Sequence, residues 1–247
     1  MIPLISKRTM VHIMVDLETL STDSNAIILT IGAIPFGPDG THIVNEEYYF
    51  YERVNLYSYN KFKNNEFDLG WGTLIWWLDQ DPEPMKDAFL AEPRYPIWTV
   101  MQDFLNWIDI ICKSFGDMKV NIWSHGKDFD VVVLQNAFKV CNVHCPWDYW
   151  DTRDTRTLYA LAGVNPMNIS MPPGFKAHNA IGDCLKQIEG IRLSYNRING
   201  LPDGKPEQLG SPDREDDKDS PNELPEELDS PDREDDKDSP DESKDSQ

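Results

Sequence analysis

Asp16 and Glu18 interrupt the apolar run His12-Ile13-Met14-Val15, which otherwise reads as a β-strand. Two positions apart on a strand, their carboxylates project from one face. Side by side they repel, and keeping them at the buried end of a sheet is costly unless a cation neutralises them. The alternative is a strand that ends at Val15 and leaves both acids in water. A second acidic group stands in Trp123-Ser124-His125-Gly126-Lys127-Asp128-Phe129-Asp130, at the head of an apolar helix. An acid in the first turn of a helix is favoured by the macrodipole. Asp128 is the better candidate for the cap and Asp130 for an inward-pointing ligand. The third group is His178-Asn179-Ala180-Ile181-Gly182-Asp183, where Asp183 falls between apolar Ile181 and Leu185. A surface charge is less expected there. His178 precedes the periodic pattern and reads, on its own, as a residue of the helix approach.

The elements that must position these residues follow from hydrophobic period. His12 to Leu17 and Ala26 to Phe36 are apolar, β-branched runs around a polar Ser21-Thr22-Asp23-Ser24-Asn25 turn, which predicts a hairpin. Aromatic-rich Glu47 to Val54 suits a third strand. Met101, Phe104, Leu105, Ile108 and Ile111 recur at helical spacing. Val120 to Ser124 predicts another strand, and helices are expected over about 129–140, 155–162 and 179–198. The last has Ile181, Leu185, Ile188, Ile191, Tyr195 and Ile198 on one side. Three strands in succession, then alternating helix and strand, indicate an α/β domain with a mixed sheet.

Composition sets limits. The 247 residues carry 23 Lys and Arg against 43 Asp and Glu, a formal charge of −20. Bulk positive charge therefore cannot hold nucleic acid, although a strand held through metal ions is still allowed. No run approaches the roughly 20 apolar residues of a membrane span, so no membrane partner is expected. The first ten residues are too short and mixed for a secretory signal. Four irregularly spaced cysteines read as reduced thiols, consistent with a cytoplasmic protein. Cys141, His144 and Cys145 lack a fourth ligand and make a poor zinc site.

From Leu201 to Gln247 there are 19 acidic and 6 basic residues with almost no aliphatic or aromatic side chains. Such a segment buries too little to offset chain entropy, so residues 1–200 are expected to form the folded domain and 201–247 a disordered acidic tail. The tail repeats SPDREDDKDSP at 211–221 and 230–240. It either solvates the chain or docks a protein partner.

Read together, Asp-x-Glu on a first strand, Phe-Asp on a middle helix and His-x-x-x-x-Asp on a late helix resemble the DEDD superfamily of 3′–5′ exonucleases. The histidine places the resemblance in the DEDDh subgroup. Within it the chain is most similar to the phage and prophage exonuclease VIII-like enzymes and to ribonuclease AS. Supporting stretches are Val15-Asp16-Leu17-Glu18-Thr19-Leu20, Leu74-Ile75-Trp76-Trp77-Leu78, Pro146-Trp147-Asp148-Tyr149-Trp150 and Arg153-Asp154-Thr155-Arg156-Thr157. The resemblance covers about residues 10–197. It implies a ribonuclease H-like fold, a mixed five-stranded sheet flanked by helices. It also implies two ions of Mg²⁺ or Mn²⁺ held by Asp16, Glu18, Asp130 and Asp183, with His178 deprotonating water. Four carboxylates suit hard, oxygen-seeking cations, and their −4 balances +4 from two ions. An imidazole titrating near neutrality is a suitable base.

By the same resemblance Thr19 and Leu20 would contact the terminal nucleotide, through backbone and an apolar wedge. Trp76 and Trp77 could stack on bases or pack in the core. Arg153 and Arg156 could touch phosphate or form surface ion pairs. The expected activity is release of nucleoside 5′-monophosphates from single-stranded 3′ ends, DNA slightly favoured over RNA. A different class of reading is a catalytically silent interaction module that works through its acidic tail. Self-association is a further open partnership.

Overall fold

The computed structural model describes residues 10–40, 45–63 and 65–204. The expected disordered tail therefore lies outside the described residues, apart from its first four. Five strands form one sheet: β1 (Met10–Thr19), β2 (Ile28–Phe36), β3 (Phe50–Arg53), β4 (Lys119–Ser124) and β5 (Thr152–Asp154), in the order β3-β2-β1-β4-β5. β1 pairs antiparallel with β2 and β2 antiparallel with β3, whereas β1–β4 and β4–β5 are parallel. The mixed five-stranded sheet expected from the sequence is present.

Among the described residues six α-helices accompany the sheet: α1 (Trp71–Leu78), α2 (Pro82–Phe89), α3 (Ile97–Ser114), α4 (Asp130–Val140), α5 (Thr155–Ala162) and α6 (Ala180–Ile198). β1 is the central strand and is covered on both faces. Val11, Ile13, Val15 and Leu17 pack into a core with Val100, Met101, Phe104 and Ile108 of α3 and Val133, Leu134 and Phe138 of α4. Met14, on the opposite face, meets Cys184, Ile188 and Ile191 of α6. Strand alternation then sends Asp16 and Glu18 to the α6 side. The strand does not stop at Val15. It continues to Thr19 and carries both acids in register with Gly32 and Thr30 of β2.

Gly32 explains how near α6 comes. A Cβ there would lie 2.7 Å from Ala180, so only glycine lets the first turn of α6 rest on the sheet beside Asp16. The Asn179 side chain accepts from the Gly182 N–H at 3.0 Å and caps that helix. Two expectations about α6 change. Tyr195 and Ile198 are 40% and 56% exposed, so the buried stripe ends one turn early. The folded part also runs past residue 200: Arg192 donates to the Gly204 carbonyl, Asn196 to that of Pro202, and Arg197 pairs with Asp203.

Candidate active site

Three segments distant in sequence deliver four carboxylates to one end of the sheet. β1 brings Asp16 and Glu18, the start of α4 brings buried Asp130, and the first turn of α6 brings Asp183. Burial raises the pKa of all four. For Asp16 the charges of Asp130, Glu18 and Asp183 add to it, opposed by a hydrogen bond from Gln187 Nε2 at 2.7 Å. For Glu18 the charges of Asp183, Asp130 and Asp87 add to burial. Asp130 is pushed up to about 7 by burial, although backbone N–H groups of Asp130 and Leu17 and the Arg156 charge pull it back.

His178 precedes α6 in the left-handed region, φ 67°. Its backbone N–H donates to Asp183 Oδ2 at 2.8 Å. Its ring packs edge-on against Trp76, centroids 4.8 Å apart, and lies 6.2 Å from Trp77. One ligand atom each from Glu18, His178 and Asp183 lies within 4.8 Å of the others. The loop bearing His178 is fastened to α2, where Lys176 Nζ bonds Asp81 Oδ2 at 2.7 Å and Glu83 Oε2 at 3.2 Å. A cavity of about 380 Å³ adjoins the acids, lined by Leu17, Glu18, Thr19, Thr73, Trp76 and Phe129 among others.

These donors fit divalent cations. Glu18 and Asp130 are buried, Asp16 and Asp183 half-buried, and burial disfavours the anion of each, a cost that hard cations relieve.

The family model of the 3′–5′ exoribonuclease Rv2179c-like domain matches residues 11–193. The chain belongs to this family. It is thus a 3′–5′ exonuclease, a hydrolase acting at nucleic-acid 3′ ends. An exodeoxyribonuclease of Enterobacteria phage T4 is 22% identical over 223 residues, covering 82% of this chain and 97% of the relative. A structure of exonuclease I superimposes with TM-score 0.50 and 15% identity over 78% of this chain. A zinc-ion-bound E. coli exonuclease I–ssDNA complex does so with TM-score 0.50 and 15% identity over 77%. The chain spans 42% and 41% of those proteins, and the likeness shows the shared fold.

In this exonuclease the residues expected to touch substrate separate. Thr19 lines the 380 Å³ cavity, but its hydroxyl donates to the Ser21 carbonyl at 2.8 Å. Leu20 is 3% exposed and packs with Leu29, Trp77 and Ala88, so it is a core residue and no wedge. Trp77 is 1% exposed, with its indole N–H on the Thr19 carbonyl at 2.9 Å. It cannot stack on a base; it buttresses the strand end from beneath. Trp76, Trp77 and Phe129 all line the cavity, and of the two tryptophans it is Trp76, 41% exposed, that presents its ring there. Arg153 donates to the Trp150 and Thr152 carbonyls, whereas Arg156 is exposed and acts on Asp130 by its charge.

Asp128 does not cap α4. Phe129 is the N-cap residue and offers no side-chain bond, while Asp128, with a side chain 90% exposed, pairs with Lys127. Asp130 is the acid that turns inward. Sequence reasoning missed Phe129 as a cavity wall and Gln187 as a partner of Asp16. Gln187 follows Asp183 by four positions, and that spacing alone puts it on the same helix face.

Proposed function

We propose that this exonuclease holds two divalent cations, Mg²⁺ or Mn²⁺, on Asp16, Glu18, Asp130 and Asp183, and removes nucleoside 5′-monophosphates from single-stranded 3′ ends, DNA in preference to RNA. The observation that supports the reading is the convergence of four acids from β1, α4 and α6, Glu18 and Asp130 buried and Asp16 and Asp183 half-buried, with the pKa of each raised by burial. Such cations supply positive charge against both acids and phosphate and make water a better nucleophile. The protein's own groups do the rest. Gln187 steadies one oxygen of Asp16. His178, set by Trp76 on its ring and by Asp183 on its N–H, takes the proton from the attacking water. The cavity beside Glu18 receives the terminal nucleoside against Trp76 and Phe129.

Support for DNA comes from the phage T4 relative, an exodeoxyribonuclease matched over nearly its whole length. Support for single strands and for a metal ion comes from the zinc-bound exonuclease I–ssDNA complex of the same fold. The RNA reading draws on the family description, which is that of an exoribonuclease domain. Digestion of 3′-end-labelled DNA and RNA strands in Mg²⁺, Mn²⁺ or EDTA tests all of these. Stepwise release of monophosphates that EDTA abolishes is expected, faster on DNA. Activity that survives EDTA would overturn the metal assignment, and faster decay of RNA would reverse the substrate assignment.

A further inference from the structure

The described residues contain six arginines, and five spend their guanidinium groups inside the protein. Arg53 bonds Asp87, Arg94 bonds three carbonyls, Arg153 bonds two, Arg192 grips Glu189 and Arg197 pairs with Asp203. Arg156 differs: among the described residues only its backbone N–H is engaged, by Asp154. Its guanidinium lies over Gly126, where an added Cβ would come within 2.7 Å of it. Glycine at φ 108° therefore clears a bed for this side chain between β4 and α4.

Lys186 is also without an ion pair among the described residues, and it sits one turn beyond Asp183 on the same face of α6. The two cations reach the acid cluster from different elements. Arg156 acts on Asp130, Lys186 acts on Asp183, and both act on His125. A small cavity of about 90 Å³ lies there, lined by His125, Tyr159, Asp183, Lys186 and Gln187 among others. It shares no residue with the 380 Å³ cavity on the Glu18 side. Glu18 thus lines a large pocket with aromatic walls and Asp183 a small one that Lys186 also lines, with Arg156 acting on its His125 wall. The first has room for a nucleoside. The second has room for little more than a phosphate group.

We propose that Arg156 and Lys186 form a subsite for the phosphodiester on the 5′ side of the scissile bond. This rests on the exonuclease reading above and adds the direction in which the strand leaves the site. Beside four carboxylates, two cations that form no ion pair among the described residues leave their charge available to an anion that arrives with the substrate. Charge attraction to backbone phosphate is indifferent to base, so the subsite sets processing along the strand and leaves base choice to the other pocket.

The test compares the full-length wild type with Arg156→Gln, Lys186→Gln and Lys186→Arg on two substrates. One is a single-stranded oligonucleotide; the other is a nucleoside 5′-(p-nitrophenyl) phosphate, which has a scissile bond but no further phosphodiester. Each glutamine variant should lower kcat/KM on the oligonucleotide about tenfold, chiefly through KM. The loss on the ester should be several times smaller. The slope of log kcat/KM against log salt should shrink by about 0.7 for each lost contact, and Lys186→Arg should restore both. Equal losses on the two substrates, or an unchanged salt slope, would overturn the subsite and leave the exonuclease reading standing. A wild type that hydrolyses neither substrate would overturn both.

Discussion

Replacing Asp130 with asparagine should make the metal-free protein less sensitive to pH. Asp130 is buried, and its carboxyl is pushed from 3.8 up to about 7. A folded-state pKa above the unfolded value means that the group supports folding while protonated. That support is complete below about pH 4 and is lost as pH rises through 7. A displacement of about 3 units costs about 4 kcal/mol once the group is charged in both states, near pH 8. At pH 5 only about 2 kcal/mol of that cost is felt, because the folded carboxyl still holds its proton. The wild type should therefore lose about 2–3 kcal/mol between pH 5 and pH 8 on account of this residue. Asp16 and Glu18, raised by the same burial and crowding, add to the slope.

The assay is urea unfolding in EDTA at pH 5, 6, 7 and 8, for wild type and Asp130→Asn, repeated with saturating Mg²⁺. In EDTA the variant's stability curve should be flatter by about 2–3 kcal/mol, or about 5–10 °C if followed by melting temperature. With Mg²⁺ the wild type should recover at pH 8, since a ligand at 100 times its Kd contributes about 2.7 kcal/mol. Asp130→Asn should recover less. Parallel curves for the two proteins in EDTA would refute the reasoning, because Asp130 would then ionise as an ordinary acid.

Asp16→Ala and Asp183→Ala should abolish hydrolysis and leave stability equal or higher, since each removes a half-buried acid whose charge is disfavoured; more than a few per cent of residual activity under saturating metal would contradict the assignment. His178→Ala should lower turnover by roughly 10²–10⁴-fold, with partial recovery at higher pH as hydroxide replaces the base. Because a ring nitrogen of His178 lies with Glu18 and Asp183 inside 4.8 Å, calorimetric metal titration decides its role: retained affinity supports the base, and lost affinity makes it a ligand. Chains ending at Gly204, which keep the contacts of Pro202, Asp203 and Gly204 to α6, should retain catalysis. They should bind substrate modestly better at low salt, an advantage that disappears as salt rises; an inactive product would refute the reading of the tail as a solvating or partner-docking segment.

The parts of the fold that could be read beforehand were those whose hydrophobic period is long and uninterrupted. β1, β2, α4 and α6 fall within a few residues of their expected bounds, and α3 contains the five residues expected at helical spacing, because each buries a continuous stripe or face. α1 carried no such pattern. Trp71, Ile75, Trp76 and Leu78 are all exposed, so its apolar residues surround the helix and no amphipathic face stands out. β5 has three residues, too few to alternate visibly. In the site, the acids were legible because charge inside an apolar run conflicts with burial. Leu20 was misplaced, and Trp77 left open between stacking and core, for the opposite reason: an apolar residue beside an active site looks the same whether it faces substrate or core. Only the packing of Trp77 beneath Thr19 decides it.

The same physics explains how a protein with 43 acidic and 23 basic residues can take an anionic substrate. Attraction is supplied locally and is not a property of the whole surface. Most of the acidic excess lies in residues 201–247, which leaves residues 1–200 far nearer neutrality. Within that part, the acids that matter converge from β1, α4 and α6, where four carboxylates attract divalent cations more strongly than dispersed charges would. Once cations are held, a phosphodiester meets positive charge at the centre, with Arg156 and Lys186 beside it. Without them it meets four acids. Binding of strand and of cation should therefore be coupled: removing the metal should weaken strand binding as well as stop hydrolysis, and the loss should be greater than salt screening alone produces. Fluorescence anisotropy of a labelled single strand, with and without Ca²⁺ as a non-catalytic substitute, reads this directly. Equal affinity in Ca²⁺ and in EDTA would mean that the strand is held elsewhere on the protein.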